Sequence, residues 1–218
     1  LFDAASESLD VNGLDALGRA PLHLSAAGGF NDCVRVLTEA DDFEPDVENG
    51  AGNTRLLLAA ANGHHNVCCT LIEFGADYKR DVDGQSVVHL SLASTAPQSG
   101  CQVIKVILDR LERDGADDEE IADFLNQLSS TGESLLHLVA DKHDIETIQL
   151  LVGRSARLDV ADADGLLPLH RLFPEGPSRD CLVALIPTDP LVLTSVLSTL
   201  VTQRGLNITL PVSALPFT

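Results

Sequence analysis

The segment Gly18-Arg-Ala-Pro-Leu-His23 decides the fold, because variants of it recur along the chain. The later copies are Gly52-Asn-Thr-Arg-Leu-Leu57, Gly84-Gln-Ser-Val-Val-His89, Gly132-Glu-Ser-Leu-Leu-His137 and Gly165-Leu-Leu-Pro-Leu-His170. Successive glycines lie 34, 32, 48 and 33 residues apart. A period near ~33 residues indicates a stack of small structural units. The long spacing predicts an insertion of 15 residues after the third unit.

A second column of apolar residues follows each glycine. It consists of two residues three positions apart, which lie on one face of a helix. We therefore predict a helix here in every unit, with both residues pointing into a shared core. The pairs are Val34/Leu37, Cys68/Leu71, Ile104/Ile107, Ile148/Leu151 and Leu182/Leu185.

Together, these columns make residues 9 to 187 resemble the ankyrin-repeat family. Residues 9–18 are similar to the family's hairpin turn, and Gly75-Ala76-Asp77 and Gly115-Ala116-Asp117 match its turn after the second helix. Arg55 and Leu57 depart from the pattern, since the family has Pro and His there. The resemblance implies an all-α repeat solenoid of about five helix–turn–helix units with short hairpin fingers.

The domain organisation follows from this register. We predict a single domain over residues 1–218, in which Leu1 to Ser8 form the last turn of a preceding helix. The insertion is expected to contain an amphipathic helix from Asp118 to Leu128, with Ile121, Phe124, Leu125 and Leu128 at helical spacing. The units are 9–48, 49–80, 81–128 with the insertion, 129–161 and 162–187, followed by a capping helix at 188–205 and an extended tail at 206–218.

Polar residues and prolines mark the starts of the first helices. Thr54, Ser86 and Ser134 stand two residues after the glycine, where a hydroxyl can accept a backbone N–H as an N-cap. Pro21 and Pro168 stand in the first turn, where the missing N–H costs nothing.

Composition excludes several functions. The 218 residues include 14 Lys+Arg against 33 Asp+Glu, a net charge of −19, which disfavours direct nucleic-acid binding. Aromatic residues are 4% of the chain, so a base-stacking platform is not expected. The longest apolar stretch, Leu191 to Val201, is too short to cross a bilayer and predicts no membrane insertion. The absence of Met indicates a processed chain or a piece of a longer protein.

The cysteines point to an intracellular protein with reduced thiols. They are odd in number and lack C-x-x-C spacing, which favours a cytoplasmic or nuclear location. Cys33 and Cys181 stand where other units have Val67 and Val103, and Cys68 replaces Val34. We expect them to be small buried hydrophobes and not nucleophiles. The five cysteines are Cys33, Cys68, Cys69, Cys101 and Cys181.

The histidines do not form a metal or catalytic site in this interpretation. His23, His89, His137 and His170 occur once per unit and are expected to cap helices and to bridge neighbouring units. His64-His65 is interpreted as a surface pair.

One acidic run resembles the start of a calcium-binding loop. Asp162-Ala-Asp164-Gly165 lacks the acids that a calcium loop would need at Val160 and Arg171, so a finger turn is predicted. No catalytic residue, metal site or cofactor is expected.

Function is predicted from these exclusions and from the resemblance, which implies a non-enzymatic scaffold that binds a protein partner through its concave finger and first-helix face. The implied contacts are Arg19, Asn53, Gln85, Glu133 and Leu166, together with an acidic finger that contains Asp41, Asp42, Glu44, Asp46 and Glu48. This finger would favour a basic segment of the partner.

A second acid-rich segment, residues 109–123, carries eight carboxylates against two arginines. For both acidic segments, a solvated surface and a negative rim that attracts a basic partner remain open. The domain is expected to be monomeric in isolation. Two alternative functions also stay open, a targeting or regulatory domain of a larger enzyme or channel, and an inhibitor of a transcription factor resembling the NF-κB inhibitors.

Overall fold

The computed structural model describes residues 12–40, 43–94, 96, 99–172 and 184–185. The chain divides into two compact units, unit 1 (Leu1–Ile107) and unit 2 (Leu108–Thr218), each of which contains several of the predicted repeats. Leu1 to Ser8, the capping helix and the tail of the sequence analysis lie outside the described residues. No helix in the described ranges combines the length and hydropathy needed to cross a bilayer.

Unit 1 consists of three successive helix pairs. They are α1 (Pro21–Ala27) with α2 (Asn31–Thr38), α3 (Arg55–Ala61) with α4 (His65–Glu73), and α5 (Val87–Ala93) with the start of α6 (Ser99–Arg113). Helix α3 packs against α1 on one side and α5 on the other, and α4 packs against α2. The pairs therefore stack in chain order, as a repeat array requires.

The apolar column fills the core of unit 1. Cys68, Leu71, Ile104 and Ile107 are all 0% exposed, which confirms the prediction made from their spacing. Burying each aliphatic side chain contributes about 2 kcal/mol. In the first pair Val34 is buried but Leu37 is only half-buried. The core is therefore less complete at α2 than further along the unit.

The expected hairpin fingers are present before the first helices. Strand β1 (Asp81–Val82) pairs antiparallel with β2 (Gln85–Ser86), with Val82 opposite Gln85. Asp83 and Gly84 turn the chain with φ values of 54° and 73°, the left-handed conformation that tight hairpins need. Single bridges, Glu48 to Thr54 and Leu128 to Ser134, close two other fingers.

Unit 2 contains α7 (Asp118–Leu125), α8 (Leu135–Asp141), α9 (Ile145–Gly153) and a 3-10 helix, Pro168–Leu172. Helix α8 packs against both α9 and the 3-10 helix. Ile148 and Leu151 are 0% exposed, which confirms the fourth apolar pair. Leu185 is buried, and Leu182 lies outside the described residues.

The additional length of the third repeat is distributed over three places. Relative to the preceding repeat, four residues are added between α5 and α6, since Ile104 follows Gly84 by 20 positions and Cys68 follows Gly52 by 16. Four more residues, about one turn, lengthen the second helix. The remaining eight follow Gly115 and form most of the α7 segment. The extra length predicted from the glycine spacing is therefore spread over these three places.

Helix α7 begins as predicted and ends earlier. Asp117 accepts the N–H of Glu120 at 2.9 Å, and Glu120 accepts the N–H of Asp117 at 3.2 Å, which is a capping box. Ile121, Phe124 and Leu125 are buried. Leu128 is 47% exposed, so its predicted place on the apolar face is wrong. Asn126 ends the helix by donating to Ala122 O at 2.7 Å, and Leu128 then starts the next finger.

The first helices start in different ways. Thr54 accepts the N–H of Leu57 at 3.3 Å, and Pro21 is the first residue of α1, as predicted. The Ser86 prediction is wrong, because its hydroxyl bonds to Nδ1 of His89 at 2.8 Å instead of a backbone N–H. The His89 ring lies beside the hydroxyl in the first turn.

Candidate functional site

Each finger turn is closed by a polar side chain three residues before its glycine. Asp15 accepts the N–H groups of Leu17 and Arg19, both at 2.9 Å, and Asp162 accepts those of Asp164 and Leu166 at 3.0 and 2.8 Å. These bonds hold the backbone of the turn, and the following glycine has a positive φ. The closing residues are Asp15, Asn49, Asp81, Ser129 and Asp162.

Neighbouring fingers also bond to each other within each unit. In unit 1 the N–H of Gly50 donates to Leu17 O at 3.1 Å, and in unit 2 the N–H of Ala163 donates to Thr131 O at 3.4 Å. A Cβ on Gly18 would lie 2.6 Å from the backbone nitrogen of Gly50, so only glycine permits this approach. Each unit therefore presents fingers with fixed spacing.

The contact residues implied by the family resemblance stand directly after the glycines and are all half-buried. Arg19, Asn53 and Gln85 lie on successive fingers of unit 1, and Glu133 and Leu166 lie on fingers of unit 2. Arg19 donates twice to its own finger residue, Asp15, at 2.9 and 2.7 Å. Those bonds lower the pKa of Asp15 to about 2.

The acidic finger is largely engaged in internal contacts. Asp46 accepts the N–H of Asp77 at 3.0 Å, Glu48 forms an ion pair with Arg80, and the carbonyl of Glu44 accepts from Arg55. The carboxylates of Glu44 and Glu48 are on exposed residues. Asp41 and Asp42 lie outside the described residues. Contacts with the following repeat therefore hold this finger in place, and the ion pair with Arg80 neutralises part of its negative charge.

The acid-rich segment of residues 109–123 is also partly compensated. Glu112 pairs with Arg154, and Asp114 with Arg110 at 3.0 Å. Asp118, Glu119 and Asp123 are exposed on α7, and no ion pair joins them to another described residue. The negative potential of this segment therefore comes mainly from α7.

Two of the four repeat histidines, His23 and His137, cap helices and bridge repeats, as predicted. His23 accepts the N–H of Ala20 at Nδ1, 3.0 Å away, and its Nε2 donates to Val47 O at 3.0 Å. His137 repeats the arrangement with Ser134 N at 3.1 Å and Leu166 O at 2.9 Å. Because Nδ1 accepts from a backbone N–H, it carries no proton. Because the carbonyl at Nε2 can only accept, Nε2 carries one, so both rings are neutral. Burial lowers the pKa of both rings.

His64 corrects the interpretation of His64-His65 as a surface pair. Its Nε2 donates to Ala27 O at 3.1 Å, in the preceding helix pair, and the residue is half-buried. The ring lies over Gly29, where an added Cβ would come within 2.5 Å of it. His64 is therefore a second link between repeats.

The described cysteines are free thiols, and one expectation about them is wrong. Cys68 is 0% exposed, and burial raises its pKa, so it is unsuited to nucleophilic chemistry. Cys33, predicted to be buried, is exposed. Its counterparts Val67 and Val103 belong to pairs with a helix pair ahead of them, whereas no described helix pair precedes α2. Cys181 lies outside the described residues.

The Asp162 turn is held by an arginine. Arg171 donates to Asp162 at 2.6 Å and Glu133 at 2.9 Å, and lies 3.4 Å from Asp141. Burial raises the pKa of Asp162, but the bonds from Arg171 and two backbone N–H groups outweigh it, and the pKa is lowered. Across the described ranges, no group of three or more His, Cys, Asp or Glu residues could hold a metal ion.

Two features were missed by the sequence analysis. The closing residues of the fingers follow the same spacing as the glycines, so aligning the third position before each glycine would have found them. Arg55 was noted only as a departure, yet its side chain is completely buried. Nothing in its neighbourhood along the chain indicates burial, because two of its partners, Asn12 and Phe43, are distant in sequence.

Comparisons with known proteins agree with this geometry. Residues 3–82 match the family described as ankyrin repeats (3 copies), which confirms the resemblance over that part of the chain. Ankyrin repeats are protein–protein interaction modules, and the family is generally non-catalytic.

Two curated proteins are similar to this chain in sequence. "Probable E3 ubiquitin-protein ligase XBOS32" of Oryza sativa subsp. japonica is 27% identical over 63% of this chain and 31% of its own length. "Target of rapamycin complex 2 subunit AVO2" of Saccharomyces cerevisiae is 25% identical over 70% of this chain and 33% of its own. The chain thus spans about a third of these relatives.

The solved structure shows the fold alone. A chain in the structure titled "Bd0816 Predatory Endopeptidase from Bdellovibrio bacteriovorus in complex with immunity protein Bd3460" has a TM-score of 0.62 and 22% identity. The match covers 82% of this chain and 86% of that one.

Proposed function

We propose that this chain is a non-enzymatic interaction module that binds a partner protein through its finger turns and the adjoining first helices. The observation that carries the proposal is the repeated closure of the fingers. In every described finger a side chain three residues before the glycine fixes the turn, while the residues at the tip differ from one finger to the next.

Such turns suit recognition because their backbone is ordered before a partner arrives. Binding then costs less conformational entropy than it would on flexible loops. The tips offer different side chains on equivalent supports, such as exposed Leu17, which is 63% exposed, and exposed Ala51. We assign the partner contacts to the residues at and after these tips, including Arg19, Asn53 and Gln85 in unit 1 and Glu133 and Leu166 in unit 2.

The partner segment is proposed to be basic. Support comes from the net charge of −19 and from the exposed carboxylates of Glu44, Glu48 and α7. A field of this sign accelerates encounter with Lys/Arg-rich segments. The engagement of Asp46 and Glu48 within unit 1 means that long-range attraction, and not direct pairing with that finger, supplies most of the effect. We place this interaction in the cytoplasm or nucleus, where the free thiols stay reduced.

A second candidate is the targeting domain of a larger enzyme. The observation that favours it is the partial coverage of the relatives, among them a protein named as a ubiquitin ligase. In this case the same fingers would select the substrate protein, and chemistry would occur outside these residues.

The test is a peptide-display selection on the immobilised chain, followed by affinity measurement at about 0.05 and 0.5 M salt. Lys/Arg-rich sequences should be enriched, and their affinity should fall about tenfold at the higher salt. Leu17→Ser and Asn53→Arg should abolish binding without changing the circular dichroism spectrum, while Asn66→Ala, on the exposed side of α4, should not. Retained affinity in both finger variants would contradict the assigned face, and salt-independent affinity would contradict the basic partner.

A further inference from the structure

The outer side of the first helix pair is exposed at positions that are buried or half-buried in later pairs. Cys33 on α2 is exposed. The equivalent residues Val67, Val103 and Thr147 are 1%, 0% and 0% exposed. The equivalence follows from the apolar columns, since each residue directly precedes the first member of its pair. Among these second helices, α2 is therefore the one in which this position is exposed.

Two further positions show the same difference. Val36 is 70% exposed, whereas its counterpart Thr70 is 3% exposed and the counterparts Val106 and Leu150 are half-buried. Pro21 on α1 is exposed, whereas its counterparts Arg55 and Val87 are 0% exposed. In unit 1 the counterparts lie on α3–α4 and α5–α6, each of which stacks after a preceding pair. The exposed positions therefore mark a stacking surface that no described residue covers.

Phe30 occupies a position that reaches back to a preceding pair. Its counterpart is His64, which stands 12 residues after its repeat glycine as Phe30 does. His64 bonds to Ala27 O of the preceding pair and lies over Gly29. Phe30 is 62% exposed. The Phe30 ring lies over Gly28 of its own turn, where an added Cβ would come within 2.5 Å of it, and more than half of its surface is left for a preceding pair.

We propose that this outer surface of α1–α2, formed by Pro21, Phe30, Cys33 and Val36, is the docking site of a further ankyrin-type helix pair. The occupant is defined by continuity with the stacking already present, in which α3–α4 packs on α1–α2 and the counterparts Thr70 and His64 bond to Asn31 and Ala27 O. The four residues carry no charge in a chain of net charge −19, which fits an apolar helix pair and not a basic peptide. Arg35 lies away from the surface, toward Glu73 at 3.9 Å.

The test supplies such a pair from the chain itself. Residues 43–77 are fused directly ahead of Asn12, which places the added glycine 32 residues before Gly18, the spacing that separates Gly52 and Gly84. The two cysteines in the added segment are replaced by valine and serine. The alkylation rate of Cys33 by N-ethylmaleimide is then compared with that in the unfused chain, with Cys33→Ser as the blank. The fusion should react at least about tenfold more slowly, with a Tm higher by several degrees.

A second variant keeps the test independent of how well the fusion folds. Val36→Asp in the unfused chain should shift the Tm by no more than about 2 °C, because Val36 is exposed, whereas in the fusion it should restore alkylation. A large loss of stability in the unfused variant would overturn the proposal, as would equal alkylation rates in the fusion and the chain. Faster alkylation after deletion of residues 1–11 would overturn the proposal, because it would mean that this segment covers the surface. Slower alkylation at higher protein concentration would also overturn it, in favour of a second copy of the chain.

Discussion

Helices α3 in unit 1 and α8 in unit 2 start at the same place in their repeats, but different side chains hold them. In α8, His137 is 0% exposed and links the first turn to the next finger through two ring nitrogens. In α3 the same position is Leu57, and the first residue is Arg55, also 0% exposed. Arg55 donates to Glu44 O and to Asn12 at 3.2 Å, and its guanidinium lies 5.8 Å from the Phe43 ring.

The same backbone arrangement can therefore be held by a buried histidine or by a buried arginine, and the two side chains differ in what their burial costs. The histidine is neutral and every polar ring atom has a partner, so its burial costs little. The arginine brings a charge into the interior, and burial lowers its pKa. Its Nε has no partner among the described residues. The repeat that departs from the family pattern therefore buries a charge whose Nε is unpaired among the described residues, and it has the more fragile start.

The largest effect is expected from Arg55→Ala. Truncation removes the bonds that Arg55 donates to Glu44 O and Asn12 and opens a cavity, so the free energy of unfolding should fall by about 3 kcal/mol. Arg55→Met keeps the volume and removes the charge, and should lose less than half of that. Urea denaturation measures both, with exposed Arg35→Ala as the control. Equal losses for Arg55→Ala and Arg35→Ala would show that the buried cation contributes nothing.

His137→Leu converts the α8 start into the residue found in α3. The N–H of Ser134 and the carbonyl of Leu166 then lose a buried partner, and the expected loss is about 2 kcal/mol. His65→Leu, at a half-buried histidine, is the control and should change stability by less than about 0.5 kcal/mol. If the two variants lose the same free energy, the ring bonds are not what stabilises α8.

The stability that the buried histidines confer should also depend on pH. A folded pKa below the ordinary value of about 6.5 means that the unfolded chain binds the proton more readily. Stability is therefore complete above about pH 6.5 and falls as pH decreases below it, by up to ~1.4 kcal/mol per pH unit for each ring. Thermal unfolding between about pH 7.5 and 5.5 measures the slope, which should be shallower in His137→Leu. A slope unchanged by that variant would contradict the assignment.

The smallest effects separate Thr54 and Ser134, the residues directly before α3 and α8. Thr54→Val removes the only described side-chain cap of α3 and should cost about 1 kcal/mol. Ser134→Ala should cost about half as much, because Nδ1 of His137 still accepts the N–H of residue 134. Chemical denaturation of the two variants in parallel tests the order. The reverse order would show that the ring alone does not cap α8.

The sequence predicted what depends on local periodicity. Glycine spacing located the repeats, and the apolar pairs located the second helices and their buried faces. The predictions failed where neighbours decide the outcome. Cys33 has a valine's place in the pattern but no described helix pair ahead of it, and Leu128 follows a helix that Asn126 has already ended. The burial of Arg55 depends on Asn12 and Phe43, which no local pattern connects to it.

The candidate site was predicted less completely than the fold. Family resemblance gave the positions after the glycines, and the structure places them on the finger flanks. It did not give the closing side chains such as Asp15, or the internal partners of Asp46 and Glu48. Those partners come from the following repeat, 31 and 32 residues away, and a single chain offers no pattern that pairs them.

The fixed proton of the repeat histidines makes each folded repeat observable by itself. A free imidazole exchanges between two tautomers, whereas His23 and His137 hold one form only while their backbone partners are in place. The nitrogen-15 resonances of these rings should therefore differ from those of a solvent-exposed histidine and should change when the surrounding repeat melts. Spectra recorded during heating would then show in which order the two ends of the chain come apart.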